Sequence, residues 1–315
     1  MKKIKVLVTP KKACELISNN IINYPNNYEF EFSNGKIDND EELIDLLTNK
    51  DAVILDLENI SPSVIKECSK LKIISRFGVG YNNIDIQAIK SKGIKLAITY
   101  NSQSKAVSRH TLALILSITN NIVINDKNLK QQQWIQNENL SFENLTLGIV
   151  GYGNTGKLVS KWASALGLNI LIYSRTSSYY ADFRSADSLS NLIEGSDIIS
   201  LHLPSNNETR NIVSGEILEK LKGKYLVNTS RGDIVNEKQM FDMLNKELIL
   251  GYALDTFTDE PVIGVSKKIA EHPRVIASPH IGALDMHTAI KMCQLAVNNL
   301  INHFNGNDKS VNLVE

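Results

Sequence analysis

The chain has 315 residues, with 34 Lys plus Arg against 34 Asp plus Glu and a formal net charge of zero. That balance gives no basic bias toward nucleic acid and no acidic tail, and the length suits about two domains with sizeable cores. Cys14, Cys68 and Cys293 are odd in number and scattered, as expected of reduced structural thiols in a cytoplasmic protein.

The opening MKKIKVLVTP is basic, but its apolar stretch is only Val6-Leu7-Val8 before Pro10, Lys11 and Lys12. It reads as a first strand, not a signal peptide. Strands are then predicted at Ile4–Thr9, Tyr28–Phe32, Ala52–Leu57, Lys72–Arg76 and Ile94–Ile98. Helices fall between them, including Asp40–Leu47 and Ser63–Cys68, the latter started by Ser61 and Pro62. Such βα alternation implies a parallel sheet. About Ser104 to Ile124 predicts one long helix, apolar nearly all round and therefore buried. Ser108, Arg109, His110, Asn120 and Asn121 within it exclude a membrane span.

A second alternating series begins at Leu147-Gly148-Ile149-Val150, a short apolar strand. Gly151, Gly153 and Gly156 follow at G-x-G-x-x-G spacing around Asn154 and Thr155. In a dinucleotide fold the first glycine permits a tight turn. The second lets backbone approach a pyrophosphate, the third lets helix and strand pack closely, and the helix N-terminus faces the phosphates. Lys157 to Leu166 is predicted as the helix, with Leu158, Trp162 and Leu166 on one face and Val159 and Ala163 beside them. Further strands are predicted at Asn169–Tyr173, Asp197–Leu201, Tyr225–Asn228, Gly251–Leu254 and Val275–Ser278. The last helix, Met286 to Phe304, carries Met286, Ile290, Cys293, Val297, Ile301 and Phe304 as an apolar stripe and is expected to return to the first domain. The expectation is an α/β protein of two doubly wound parallel-sheet domains. Residues 1–100 and 285–315 would form the substrate domain and 101–284 the cofactor domain, with the active site in the cleft between them.

The residue after the second strand of a dinucleotide fold reads the adenosine ribose: an acid there bonds the 2′-hydroxyl of NAD, an Arg accommodates the 2′-phosphate of NADP. Here that place holds Ser174-Arg175-Thr176, which suits a phosphate. NADP(H) is therefore the expected cofactor, with NAD(H) possible if Arg175 merely stacks on adenine or is solvated. Three more motifs follow predicted strand ends: Asn228-Thr229-Ser230-Arg231-Gly232, Ala253-Leu254-Asp255-Thr256-Phe257-Thr258-Asp259-Glu260-Pro261, and Ser278-Pro279-His280-Ile281-Gly282-Ala283. Arg231, Glu260 and His280 supply what reduction of a 2-oxo acid needs. A guanidinium holds the carboxylate and polarises the carbonyl. An imidazole serves as proton donor, and a carboxylate orients it and favours its protonated form. His, Cys and carboxylates nowhere gather at metal-ligand spacing, so no metal is expected.

These motifs make the chain resemble the D-isomer-specific 2-hydroxyacid dehydrogenases, which include phosphoglycerate dehydrogenase and glyoxylate/hydroxypyruvate reductases. The likeness runs through nearly the whole chain in LGIVGYGNTGK, NTSRGDIVNE, GYALDTFTDEP and SPHIGA. It implies a Rossmann cofactor domain inserted in a flavodoxin-like substrate domain. It also implies that Arg231 binds substrate, His280 donates or accepts the proton, Glu260 pairs with His280, and Asp255 contacts the nicotinamide carboxamide. The segment Arg76 to Asp85 resembles the one whose amides, here Gly78, Val79 and Gly80, hold the substrate carboxylate. Leu203 and Pro204 would flank the adenosine, and Asn154, Thr155, Thr229, Ser230, His280 and Gly282 join the cofactor contacts. His110, His202, His272, His287 and His303 lack such context and read as structural or solvent-facing.

Two departures bear on substrate. Arg109 stands where many relatives carry an acid, and is expected to face solvent or a partner subunit. Asp56-Leu57-Glu58 follows the third strand, where phosphoglycerate dehydrogenases carry an Arg. Acids there would repel a phosphate, favouring a small unphosphorylated 2-oxo acid such as glyoxylate or hydroxypyruvate. The alternatives are an NAD-using D-3-phosphoglycerate dehydrogenase and, in another class, an NAD(P)-sensing, corepressor-like binding protein. The resemblance also implies a homodimer, with Asn120–Phe142 and its Trp134 as the exchanged segment; composition and hydropathy predict no membrane or nucleic-acid partner.

Overall fold

The computed structural model describes residues 3–33, 35, 37, 39–175 and 183–314. They fall into two compact units, Met1–Gln103 with Leu284–Glu315, and Ser104–Ala283.

In the first unit β1 (Ile4–Val8), α1 (Lys11–Ser18), β2 (Tyr28–Phe32), α2 (Asp40–Leu47), β3 (Ala52–Leu55), α3 (Pro62–Glu67), β4 (Ile73–Arg76), α4 (Ile86–Ser91) and β5 (Lys95–Ala97) alternate. The sheet is parallel in the order β2-β1-β3-β4-β5, a flavodoxin-like winding. Both sheet faces are covered, which explains strands that are apolar at consecutive positions. Val6, Val8 and Ile54 face a core with Ala13, Leu16 and Ile17 of α1. Leu7, Val53 and Leu55 point the other way, into Leu43, Leu47, Val64 and Ile65 of α2 and α3. Each such buried aliphatic side chain contributes about 1.5–3 kcal/mol. Local caps set the helix starts: Asn39, Ser61 and Asp85 accept from the amides of Glu42, Val64 and Ala88.

The second unit begins with α5 (Ser104–Thr119) and α6 (Ile122–Lys130), where one long buried helix was expected. The two are bent by 60° at Asn120-Asn121. Asn121 adopts φ 52°, a left-handed conformation that Asn tolerates. Its side-chain amide donates to Glu138 O at 2.7 Å, and Leu140 N donates to Thr119 O at 3.0 Å, so the helix end is tied to the following segment. Burial fails there too: Ile122 and Val123 are exposed. The rest alternates as β6 (Thr146–Val150), α7 (Asn154–Ala165), β7 (Asn169–Tyr173), β8 (Arg184–Ser185), α8 (Leu189–Glu194), β9 (Ile198–Leu201), α9 (Gly215–Glu219), β10 (Tyr225–Asn228), α10 (Glu237–Asn245), β11 (Gly251–Leu254), α11 (Gly264–Ala270) and β12 (Val275–Ala277). All strands are parallel in the order β12-β11-β10-β9-β6-β7-β8. This is a Rossmann winding that switches direction between β6 and β9. Six strands were expected; β8, the seventh, has two exposed residues and hence no apolar pattern.

Two helix faces differ from expectation. Helix α7 starts at Asn154, a turn early, and buries Gly156, Val159, Ser160 and Ala163, while Leu166 is exposed. Small residues face inward because α7 lies close to α5, where Ser108 Oγ reaches Thr155 O at 3.2 Å. Helix α12 (Met286–Phe304) packs on the first unit's sheet through Ala289, Cys293, Ala296, Val297 and Leu300, and Met286 is exposed. No single helix among the described residues is long and apolar enough to cross a membrane.

Candidate active site

Because every strand of the second sheet is parallel, the segments after β6, β7, β9, β10, β11 and β12 all emerge at one edge. Open α/β sheets bind ligands at that edge. The expected site residues lie in these segments, except Gly78, Val79 and Gly80, which follow β4 in the first unit. Thr176 lies outside the described residues.

After β6, the glycines divide the work as their spacing suggests. Gly151 has φ +95°, and a Cβ there would stand 2.4 Å from His202 O, where β6 meets β9. A Cβ on Gly156 would stand 2.2 Å from Gly151 O. Gly153, the N-cap of α7, is different: it has no side-chain cap bond, and a Cβ would meet no atom within 4 Å. The turn therefore opens onto the N-terminus of α7 with no side chain in the way, which fits a dinucleotide pyrophosphate. Leu203 N donates to Ser230 Oγ at 3.2 Å and Ser230 Oγ to Leu201 O at 2.5 Å, joining the β9 and β10 ends. Thr229 Oγ1 pairs with Thr111 Oγ1 of α5 at 2.8 Å.

After β10, the buried Asn228 sets the turn. Its Nδ2 donates to Arg231 O at 2.8 Å, and its Oδ1 accepts from Ser230 N at 3.0 Å. Arg231 is half-buried and leaves in extended conformation. Among the described residues its guanidinium makes one hydrogen bond, Nη1 to Ser230 O at 2.6 Å. Burial pulls its pKa down, partly offset by Glu260 and Asp233. A partly desolvated cation with most of its donors unspent is suited to grip a carboxylate.

The segment after β11 carries Asp255 and Glu260. Glu260 Oε1 accepts from Phe257 N at 2.9 Å and its Oε2 meets His280 Nδ1 at 2.7 Å. Burial would raise the Glu260 pKa, but the His280 hydrogen bond and charge, the Phe257 amide and Arg231 outweigh it and hold the carboxyl below its ordinary value. His280 takes φ 53°, a costly conformation for a non-glycine residue. Asp255 enforces it. His280 N donates to Asp255 O at 3.0 Å. The Asp255 carboxylate accepts from Ile281 N at 2.9 Å, Gly282 N at 2.8 Å and Ser278 Oγ at 2.5 Å. Burial pushes the Asp255 pKa up, yet these bonds and His110 more than offset it, leaving it lowered. With Nδ1 committed to Glu260, His280 Nε2 has no hydrogen bond among the described residues.

Several positioning residues escaped the sequence reading. His110, read as structural or solvent-facing, puts Nε2 2.9 Å from Ser278 Oγ and 3.4 Å from Asp255 Oδ1. Buried Glu237, the last residue of NTSRGDIVNE, accepts from Thr258 N at 2.8 Å and Ser266 Oγ at 2.5 Å, fixing the Glu260 segment. Gly232 lets the β10 and β11 segments touch: a Cβ would fall 1.9 Å from Phe257 C. Desolvation pushes the His202 pKa down to about 4, so its ring is neutral at pH 7.

In the first unit, the loop after β4 is built on buried Arg76. Its Nε donates to Gly80 O at 2.9 Å and its Nη1 to Phe77 O at 2.8 Å. Thr99 N holds Gly78 O at 2.9 Å, and Gly78 has φ +146°. Among the described residues the amides of Gly78, Val79 and Gly80 donate no backbone hydrogen bond. Asp56 pairs with Arg76 Nη1 at 3.2 Å, while Glu58 accepts from Thr9 Oγ1 and Asp56 N, so both acids have internal partners. Arg109 is exposed, as expected.

Residues 112–282 match the sequence model of the D-isomer specific 2-hydroxyacid dehydrogenase NAD binding domain. A glyoxylate reductase of Thermofilum pendens is 33% identical over 276 residues, 83% of this chain and 80% of that protein. A D-3-phosphoglycerate dehydrogenase of Synechocystis is also 33% identical, over 77% of this chain but 45% of its own length. A crystal structure from Thermus thermophilus superposes with a TM-score of 0.86 at 27% identity, covering 99% of this chain and 100% of that one. The chain thus belongs to the D-isomer specific 2-hydroxyacid dehydrogenase family, an NAD(P)-dependent enzyme acting on small 2-oxo or 2-hydroxy acids.

Proposed function

We propose that the chain reduces a small, unphosphorylated 2-oxo acid of the glyoxylate or hydroxypyruvate kind to the D-2-hydroxy acid, with NADPH preferred. The observation that carries this reading is the Arg231–Glu260–His280 arrangement: an under-bonded, half-buried guanidinium that interacts by charge with Glu260, whose carboxylate holds the His280 imidazole at Nδ1, 2.7 Å away. Arg231 holds the substrate carboxylate and polarises the carbonyl. The Glu260 bond leaves His280 Nε2 as the proton-carrying atom, which protonates the oxygen as negative charge develops on it. The nicotinamide cofactor supplies the hydride when bound. By resemblance, the amides at Gly78–Gly80 also serve the substrate carboxylate. Asp56 and Glu58 have partners of their own, but two carboxylates at the end of β3, where an Arg would be needed to meet a phosphate, support an unphosphorylated substrate. The test is oxidation of NADPH and NADH with glyoxylate, hydroxypyruvate, pyruvate and 3-phosphohydroxypyruvate. Turnover of the first two with NADPH is expected; turnover confined to the phosphorylated acid with NADH overturns the reading.

A homodimer is part of the proposal. Leu129, Trp134 and Ile135 are exposed on the segment from α6 onward, Trp134 at 81%. Such apolar area on one stretch suits a second copy of the chain.

A further inference from the structure

We infer that Glu208 sets how strongly Arg175 favours a 2′-phosphorylated cofactor: it holds the guanidinium when no phosphate is bound and competes with the phosphate for it. This rests on the proposed assignment of Arg175 to the 2′-phosphate. Arg175 stands two residues after the end of β7, and its Nη1 donates to Glu208 Oε2, with both side chains largely exposed. The carboxylate is delivered by a pinned turn. Asn206 Oδ1 accepts from Glu208 N at 2.9 Å and Thr209 N at 3.1 Å, and Thr209 Oγ1 donates to Pro204 O at 2.6 Å. Just beyond, Asn211 N donates to Asp233 O at 2.7 Å. The sheet order β9-β6-β7 puts this turn and Arg175 at the same edge, with the pyrophosphate turn of β6 between their strands.

The guanidinium fork fits a carboxylate and a phosphate alike. An exposed ion pair is weak, so a phosphate carrying more charge can take Arg175 from Glu208. It does so against the pair itself and against repulsion from a carboxylate that the turn keeps nearby. A cofactor with a free 2′-hydroxyl meets neither obstacle. Glu208 therefore lowers the preference for the phosphorylated cofactor without touching the reacting atoms.

The test is binding, by calorimetry, of adenosine 2′,5′-bisphosphate and of adenosine 5′-monophosphate to the wild type, Glu208→Gln and Arg175→Ala. Because Asn206 makes the turn's bonds, the Gln variant keeps the fold, and an unchanged Tm checks this. Glu208→Gln is expected to bind the bisphosphate roughly three- to ten-fold more tightly at low salt. The gain should shrink by about 0.5 M salt, with the monophosphate unchanged within about two-fold. If Arg175→Ala loses the bisphosphate while Glu208→Gln changes nothing, the competition is overturned and the NADP assignment stands. If Arg175→Ala changes nothing either, the NADP assignment itself fails. If Glu208→Gln weakens the monophosphate, Glu208 serves the ribose hydroxyls as acceptor, which also overturns the inference.

Discussion

At the scale of single residues, the site rests on two carboxylates doing different jobs. Glu260 faces the imidazole: its Oε2 fixes His280 Nδ1, which in the proposed mechanism leaves Nε2 for proton transfer. His280→Ala should lower kcat by about 10²–10⁴-fold while NADPH binding, read by fluorescence titration, survives; unchanged turnover would remove His280 from the mechanism. Reduction takes up a proton, so the reductive rate should fall as pH rises, and Glu260→Gln, which removes the charge facing the imidazole, should alter that pH profile. A profile identical to wild type would show that Glu260 only packs. Asp255 never needs to touch substrate to matter. It is 2% exposed and bonds Ser278, Ile281 and Gly282, so Asp255→Asn would turn an amide toward donors it cannot satisfy, costing about 3 kcal/mol at pH 7. Its pKa is lowered in the fold. The stabilisation it brings is thus present above its unfolded pKa and lost as pH falls through the lowered folded value. Urea unfolding should accordingly show the gap between wild type and Asp255→Asn narrowing from pH 7 toward pH 3.

At the scale of elements, strands and their end loops were legible in the sequence because a parallel sheet covered on both faces leaves unbroken apolar runs such as Ala52–Leu55 and Tyr225–Asn228. The Arg231, Glu260 and His280 loops were legible for the same reason: each directly follows such a run. The break between α5 and α6 was not, since Ile122 and Val123 continue the apolar pattern and only the Asn121 backbone marks the bend. Nor were the tertiary braces, because Glu237, His110 and Gly232 act on partners 21 or more residues away in the chain. Gly232 shows how much such a contact decides. A methyl group there would stand 1.9 Å from the Phe257 carbonyl carbon, and Phe257 N bonds the Glu260 carboxylate. Gly232→Ala must push the β10 and β11 segments apart, at about 1–3 kcal/mol of stability, and should lower both Tm and kcat. A variant with wild-type Tm and kcat would mean that the loops adjust freely.

At the scale of the molecule, zero formal net charge and exposed apolar side chains pull in one direction. A neutral chain has little long-range repulsion against self-association. Helix α6 exposes Ile122, Val123 and Leu129, and Trp134 and Ile135 follow within a few residues. These side chains belong to no core cluster of the described residues, and in the proposed homodimer a second copy covers them. Trp134→Ser combined with Leu129→Ser removes two of the largest exposed groups from the segment while leaving the described core untouched. Sedimentation equilibrium should show the wild type as a dimer and the double variant shifted toward monomer, with far-ultraviolet circular dichroism unchanged. An association constant equal to wild type would place any dimer contact elsewhere. A monomeric wild type would end the dimer proposal and leave the Arg231–Glu260–His280 reading intact, since all three residues belong to one unit of one chain.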